Sequence, residues 1–146
     1  MRLYLDNSFL NRPFDNPEIR HNRLEVEILF LILELVREGK ITLVNSSVIE
    51  YENSLNPFPE RKIFIEKIMQ QAKVYQNVDH KIKKRAVEIE KAMRTQPIDA
   101  LHIASAEAAH VELFITSDYN LVKRYKGVLK VIKPLDFMKY HENTSH

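Results

Sequence analysis

Short apolar runs alternate along the chain with longer segments whose apolar positions recur at helical spacing. Arg2 to Leu5 reads as a first strand, and the Asn- and Pro-rich stretch from Asn7 to Pro17 as a turn region. From about Glu18 to Glu38, Leu24, Ile28, Leu31 and Leu35 mark one stripe of a long amphipathic helix, with Gly39 placed to cap its end. Ile41 to Val44 predicts a second strand, and Ser47 opens a short helix that Asn56-Pro57-Phe58-Pro59 breaks. A further helix is expected from about Pro59 to Ala72, then a short third strand from Val74 to Val78. Asp79 caps a basic helix running from His80 to Met93. Pro97 opens the next helix, whose small residues let it lie close to a sheet. Leu113 to Ile115 fits a buried parallel strand. A short helix at Asn120 to Tyr125 and a last strand at Val128 to Ile132 complete the pattern, with a frayed end from about residue 140.

This alternation predicts an α/β fold with a mainly parallel sheet, in one domain spanning residues 1–146. Right-handed crossovers put the carboxyl ends of all strands on one edge. Asp6 follows the first strand and Asp118 the Leu113 to Ile115 strand, so both belong to that edge. Asp99 lies in the first turn of the Pro97 helix and faces the same edge, because helices begin where strands end.

Composition removes several function classes. Only Gly39 and Gly127 are glycines, so no glycine-rich phosphate loop or dinucleotide fingerprint exists. The absence of cysteine rules out disulfides and thiolate metal sites and agrees with a cytoplasmic location. The longest apolar run, Ile28 to Leu33, is too short to cross a bilayer, and Asp6 and Asn7 interrupt any signal-peptide pattern, so no membrane role is expected. With a net charge of +2, a nucleic-acid surface has to come from local clustering.

Carboxylates crowded at one edge repel one another, and a hard divalent cation relieves the repulsion. Such an ion activates water and stabilises a phosphodiester during in-line attack. Asp6 in YLDNS, Glu50 in SSVIEYE, Asp99 in PIDALHIASA, and Thr116 with Asp118 in ITSD appear in an order that resembles the PIN-domain nucleases, specifically their VapC-like toxin subgroup. The resemblance covers roughly residues 1–135. It implies a three-layer fold with a central, mainly parallel sheet of four to five strands flanked by helices. It also implies an Mg²⁺- or Mn²⁺-dependent endoribonuclease, the toxin of a VapBC-type toxin–antitoxin pair, acting as a homodimer with RNA as substrate and a small antitoxin protein as partner. Asp6, Glu50, Asp99 and Asp118 are then the catalytic and metal-binding set, supported by Asn7, Ser8, Thr116 and Asn120. Many family members carry Thr or Ser directly after the first Asp, where this chain has Asn7 and then Ser8.

Each acidic residue also has a purely structural role open to it. Ser47 and Glu50 match a capping box, Asp99 meets the helix dipole favourably, and Asp118 caps the helix after it. Glu52 is the rival of Glu50 but falls on another side of their helix. His102, one turn past Asp99, fits a supporting role better than a ligand role. Arg12, Arg20 and Arg23 follow Asp6 and are candidates for holding an RNA phosphate, whereas Lys81, Lys83, Lys84 and Arg85 read as a solvated helix face. Phe14, Tyr51, Phe58 and Tyr119 are candidate stacking groups. The alternative reading is a non-catalytic RNA- or protein-binding module on the same fold. A haloacid-dehalogenase-like phosphatase is set aside, because Ser8 stands where its second Asp would be.

Overall fold

The computed structural model describes residues 1–144. Five parallel strands form the sheet: β1 (Arg2–Leu5), β2 (Thr42–Ser46), β3 (Val74–Gln76), β4 (Leu113–Ile115) and β5 (Lys130–Ile132). Their order is β3-β2-β1-β4-β5. Leu3, Tyr4 and Leu5, like Leu113, Phe114 and Ile115, are buried at every position. Strands that bury consecutive side chains must be covered on both faces, as parallel sheets are. Tyr4 and Phe114 stand opposite each other across β1 and β4, their rings stacked at 5.1 Å.

The chain leaves β1 toward β2 and β3, then crosses back to β4 and β5 on the other side. The order therefore reverses between β1 and β4, and parallel sheets open a crevice for ligands at the carboxyl ends of such strands. Asp6 and Thr116 are the first residues beyond these two strands, whose ends register Leu5 against Ile115.

Eight helices accompany the sheet among the described residues: α1 (Asn7–Leu10), α2 (Arg20–Arg37), α3 (Ser47–Ser54), α4 (Pro59–Met69), α5 (His80–Met93), α6 (Pro97–Ala108), α7 (Tyr119–Arg124) and α8 (Phe137–Thr144). Helix α2 buries Ile28 and Leu35 of the expected stripe, with Leu31 partly buried against the core, and adds Leu29, Ile32, Leu33 and Val36, while Leu24 is exposed. At its end Gly39, with φ of 76°, lets the Lys40 and Gly39 amides donate to the Leu35 and Val36 carbonyls, closing a Schellman cap. Helix α5 is tied to α6 by Arg85, which donates to both carboxylate oxygens of Glu107 at 2.8 and 3.1 Å. The basic run is thus not wholly a solvated face. Helix α8, anchored by the buried Phe137, occupies residues where the frayed end was expected to begin. Of that end, residues 145–146 lie outside the described residues.

Candidate active site

Asp6 is buried and closes β1 by capping α1: its Oδ1 accepts the Phe9 amide at 3.2 Å and the Ser8 hydroxyl at 2.6 Å. Burial pushes its carboxyl above the usual range, while His102, the Ser8 and Thr116 hydroxyls and the Phe9 amide act against the shift. The Ser8 hydroxyl also accepts the Ser117 amide at 3.1 Å and sits 3.2 Å from the Thr116 hydroxyl. Thr116 in turn accepts the Asp118 amide at 3.0 Å. One hydroxyl pair thus fixes the ends of β1 and β4 to each other, Ser8 two residues after Asp6 and Thr116 two residues before Asp118.

Asp118 caps α7, its Oδ1 accepting the Asn120 and Leu121 amides at 3.0 and 3.3 Å. Asp99 projects from the first turn of α6. Its pKa is pushed up to about 6, first by burial and then by the charges of Asp6, Asp118 and Glu52, with His102 opposing. Asp99, Asp118 and Asn120 line one small cavity of about 180 Å³. The Thr95 hydroxyl, buried and without a hydrogen-bond partner, belongs to a residue lining the same cavity.

The structure therefore brings Asp6, Asp99 and Asp118 to one edge, and it does not bring Glu50 there. Glu50 accepts a hydrogen bond from Tyr75 of β3 at 2.5 Å, which raises the Tyr75 pKa to about 12. Glu52 faces the aspartates instead. The two residues lie about 200° apart on a helix, so one faces the cluster only when the other does not. The helix begins one residue earlier than the capping-box reading assumed: Ser46, not Ser47, accepts the Ile49 amide, and Ser47 accepts the Val78 amide.

Glu52 is held by a buried relay. Its Oε1 lies 2.7 Å from His102 Nε2, His102 Nδ1 lies 2.6 Å from the Tyr4 hydroxyl, and that hydroxyl lies 2.7 Å from Ser46 Oγ. His102 thus supports a carboxylate, as expected of it. The sequence signal was its spacing, since residues three apart share a helix face. Of the other supporting residues, Ser8 and Thr116 contact the site as described. Asn120 serves through its backbone, and Asn7 turns away to donate to the Ile49 carbonyl at 3.3 Å.

The three candidate arginines diverge. Arg12 lines the groove beside Asp118 but is engaged by Glu25 at 2.6 Å and Asp15 at 3.1 Å. Arg23 donates to the Pro17 carbonyl, and Arg20 is exposed at the start of α2. Sequence reasoning missed Glu25, a fully buried carboxylate contacted by Arg12, His21, Ser117 and Tyr119. The sequence carried no signal for it, since Glu25 and Glu27 are both flanked by apolar residues and only Glu25 is buried.

No ion pair among the described residues neutralises Asp6, Asp99 or Asp118. Nor do any three Asp, Glu or His side chains among them stand as ready ligands of one ion. The aspartates feel one another's charge without touching. A hard divalent ion such as Mg²⁺ keeps several waters and takes only one or two carboxylates directly, so an all-oxygen, uncompensated set of this kind fits it.

A parallel α/β sheet with acidic side chains gathered at its switch point defines a class of fold and site. The chain belongs to the PIN domain family, whose model matches residues 3–127. Among solved structures it is similar to VapBC2 from Rickettsia felis bound to a promoter DNA fragment, at 14% identity and a TM-score of 0.59, covering 91% of this chain and 98% of that one. It is also similar to FitAcB from Neisseria gonorrhoeae, at 15% identity and TM-score 0.57 over 91% and 98% of the two chains. PAE2754 from Pyrobaculum aerophilum gives 14% identity and TM-score 0.59 over 98% and 96%. These likenesses speak to the fold. No curated protein matches the sequence. No described helix is long and apolar enough to cross a membrane.

Proposed function

We propose that this chain is a divalent-metal-dependent endoribonuclease that hydrolyses RNA phosphodiester bonds in the cytoplasm as the toxin of a VapBC-type pair. The observation that carries the reading is the gathering of Asp6, Asp99 and Asp118 at the edge where β1 and β4 end, with the charges of Asp6, Asp118 and Glu52 all felt at Asp99. Like charges held together in a cleft at this cost mark a functional site. Membership of the PIN family and the likeness of the fold to VapBC2 support the same reading. A small antitoxin protein and a second copy of the chain are its expected partners.

Asp6, Asp99 and Asp118 would hold Mg²⁺ or Mn²⁺, with Glu52 in the place assigned by sequence to Glu50. The chemistry such a cation supplies is water activation at neutral pH and stabilisation of the charge that develops on the phosphodiester. The chain's own part is positioning. Ser8 and Thr116 support the Asp6 anion, the α7 amides fix Asp118, and His102 orients Glu52. Such second contacts typically change metal affinity or activity about 10- to 100-fold.

The test is cleavage of single-stranded RNA with Mn²⁺ by purified variants. Asp99→Asn and Asp6→Asn are expected to lose activity by about 100-fold or more, a size typical of removing an essential group. Glu52→Gln should follow them while Glu50→Gln keeps most activity. Full cleavage by Asp99→Asn would reject the site, and loss in Glu50→Gln alone would return the fourth role to that residue. A non-catalytic module would show no Mn²⁺-dependent cleavage at all.

A further inference from the structure

We propose that the groove running from Asp118 and Glu52 to Phe58 and Arg61 holds a nucleobase of single-stranded RNA, stacked on Phe58. The proposal rests on the ribonuclease reading and adds the substrate-binding subsite. The groove has a volume of about 680 Å³, within the range that encloses small-molecule groups, and is continuous with the acidic edge. Its far end is built from an aromatic ring and a cation, the combination that binds unpaired bases without sequence preference.

Phe58 precedes α4 and is 52% exposed. The Arg61 guanidinium lies 4.9 Å from its ring centroid and 5.7 Å from that of Phe14. Arg61 is itself fixed, donating to the Phe14 carbonyl at 3.0 Å and pairing with Asp15 at 3.7 Å. The ring and its cation are therefore organised before any ligand arrives, which lowers the ordering cost of binding.

Two amides border this platform with fixed orientation. Asn56 Oδ1 accepts the Phe58 amide at 3.2 Å, and Asn56 Nδ2 donates to Asn11 Oδ1 at 3.2 Å. Asn11 Nδ2 donates to the Asn7 carbonyl at 2.8 Å. Amide edges beside a stacking ring can hydrogen-bond the edge of an unstacked base. In a duplex that face and edge are covered, so the subsite selects single strands.

The experiment measures anisotropy of a fluorescein-labelled 12-nucleotide single-stranded RNA of mixed sequence with the full chain in EDTA, alongside Mn²⁺-dependent cleavage of the same RNA. Phe58→Ala and Arg61→Ala are expected to weaken binding roughly 5- to 100-fold, as loss of one stacked base does, and Phe58→Trp to retain it. Affinity for a 12-base-pair RNA duplex should stay unchanged in these variants. Unchanged single-strand affinity in Phe58→Ala, with cleavage by the wild type intact, overturns the subsite and leaves the nuclease reading standing. Absence of both binding and cleavage in the wild type overturns the two together. A shift in sedimentation of Phe58→Ala with RNA affinity unchanged assigns the face to a second copy and also overturns the subsite.

Discussion

Burial pushes the Asp99 carboxyl up to about 6, and the charges of Asp6, Asp118 and Glu52 push in the same direction. Its raised pKa means that the folded chain binds more protons than the unfolded one between the ordinary value of 3.8 and about 6. Stability from this group therefore falls as pH rises through that window, and the penalty is complete above it. In metal-free buffer, Asp99→Asn should melt higher than the wild type at about pH 7.5 and at the same temperature at about pH 4. Thermal melts across this range check the sign, and a variant that melts lower at neutral pH would show that the Asp99 charge is favourable. At this scale the sequence was informative where topology decides and silent where helix phase decides. Asp6, Asp99 and Asp118 follow from strand ends and a helix start. The choice between Glu50 and Glu52 turned on one residue of capping, Ser46 against Ser47, and both are good caps.

Helix ends carry much of what the elements can be tested on. Helix α6 finishes with His110 at φ of 55°, its amide donating to the Glu107 carbonyl and the Val111 amide to the Ala106 carbonyl. This is the Schellman arrangement, with histidine at the position where glycine avoids the Cβ penalty. His110→Gly is therefore expected to stabilise the protein by about 0.5–1 kcal/mol. Chemical denaturation with an unchanged slope and a higher midpoint is the expected result, and a lower midpoint would mean that the His110 side chain contributes more than its backbone costs. Strands and central helices were legible because their apolar runs are continuous or periodic. Helix α8 was not, since only eight residues follow Asp136 within it and burial of Phe137, a tertiary event, holds it down. Leu24 dropped out of the α2 stripe for a related reason: Glu25 is drawn inside by Arg12, His21 and Tyr119, which turns the buried face away from Leu24.

For the molecule as a whole, strand order does the assembling. With β1 and β4 adjacent and the sheet reversing between them, Asp6 and Asp118 come to one edge without any loop reaching across, and α6 delivers Asp99 to the same edge. The alternation of elements was enough to anticipate a parallel sheet, though not its order, because crossovers fix handedness and leave adjacency open. The groove leading away from this edge to Phe58 gives the acidic centre a direction along which a single strand can lie. On the proposed function, Asp6, Asp99 and Asp118, with Glu52, jointly hold a divalent cation. The most direct test is a crystal of the full chain soaked in Mn²⁺, with the anomalous difference peak located. The peak is expected among the three aspartates and Glu52. A peak beside Glu50, or none near the carboxyl ends of β1 and β4, would contradict this assignment.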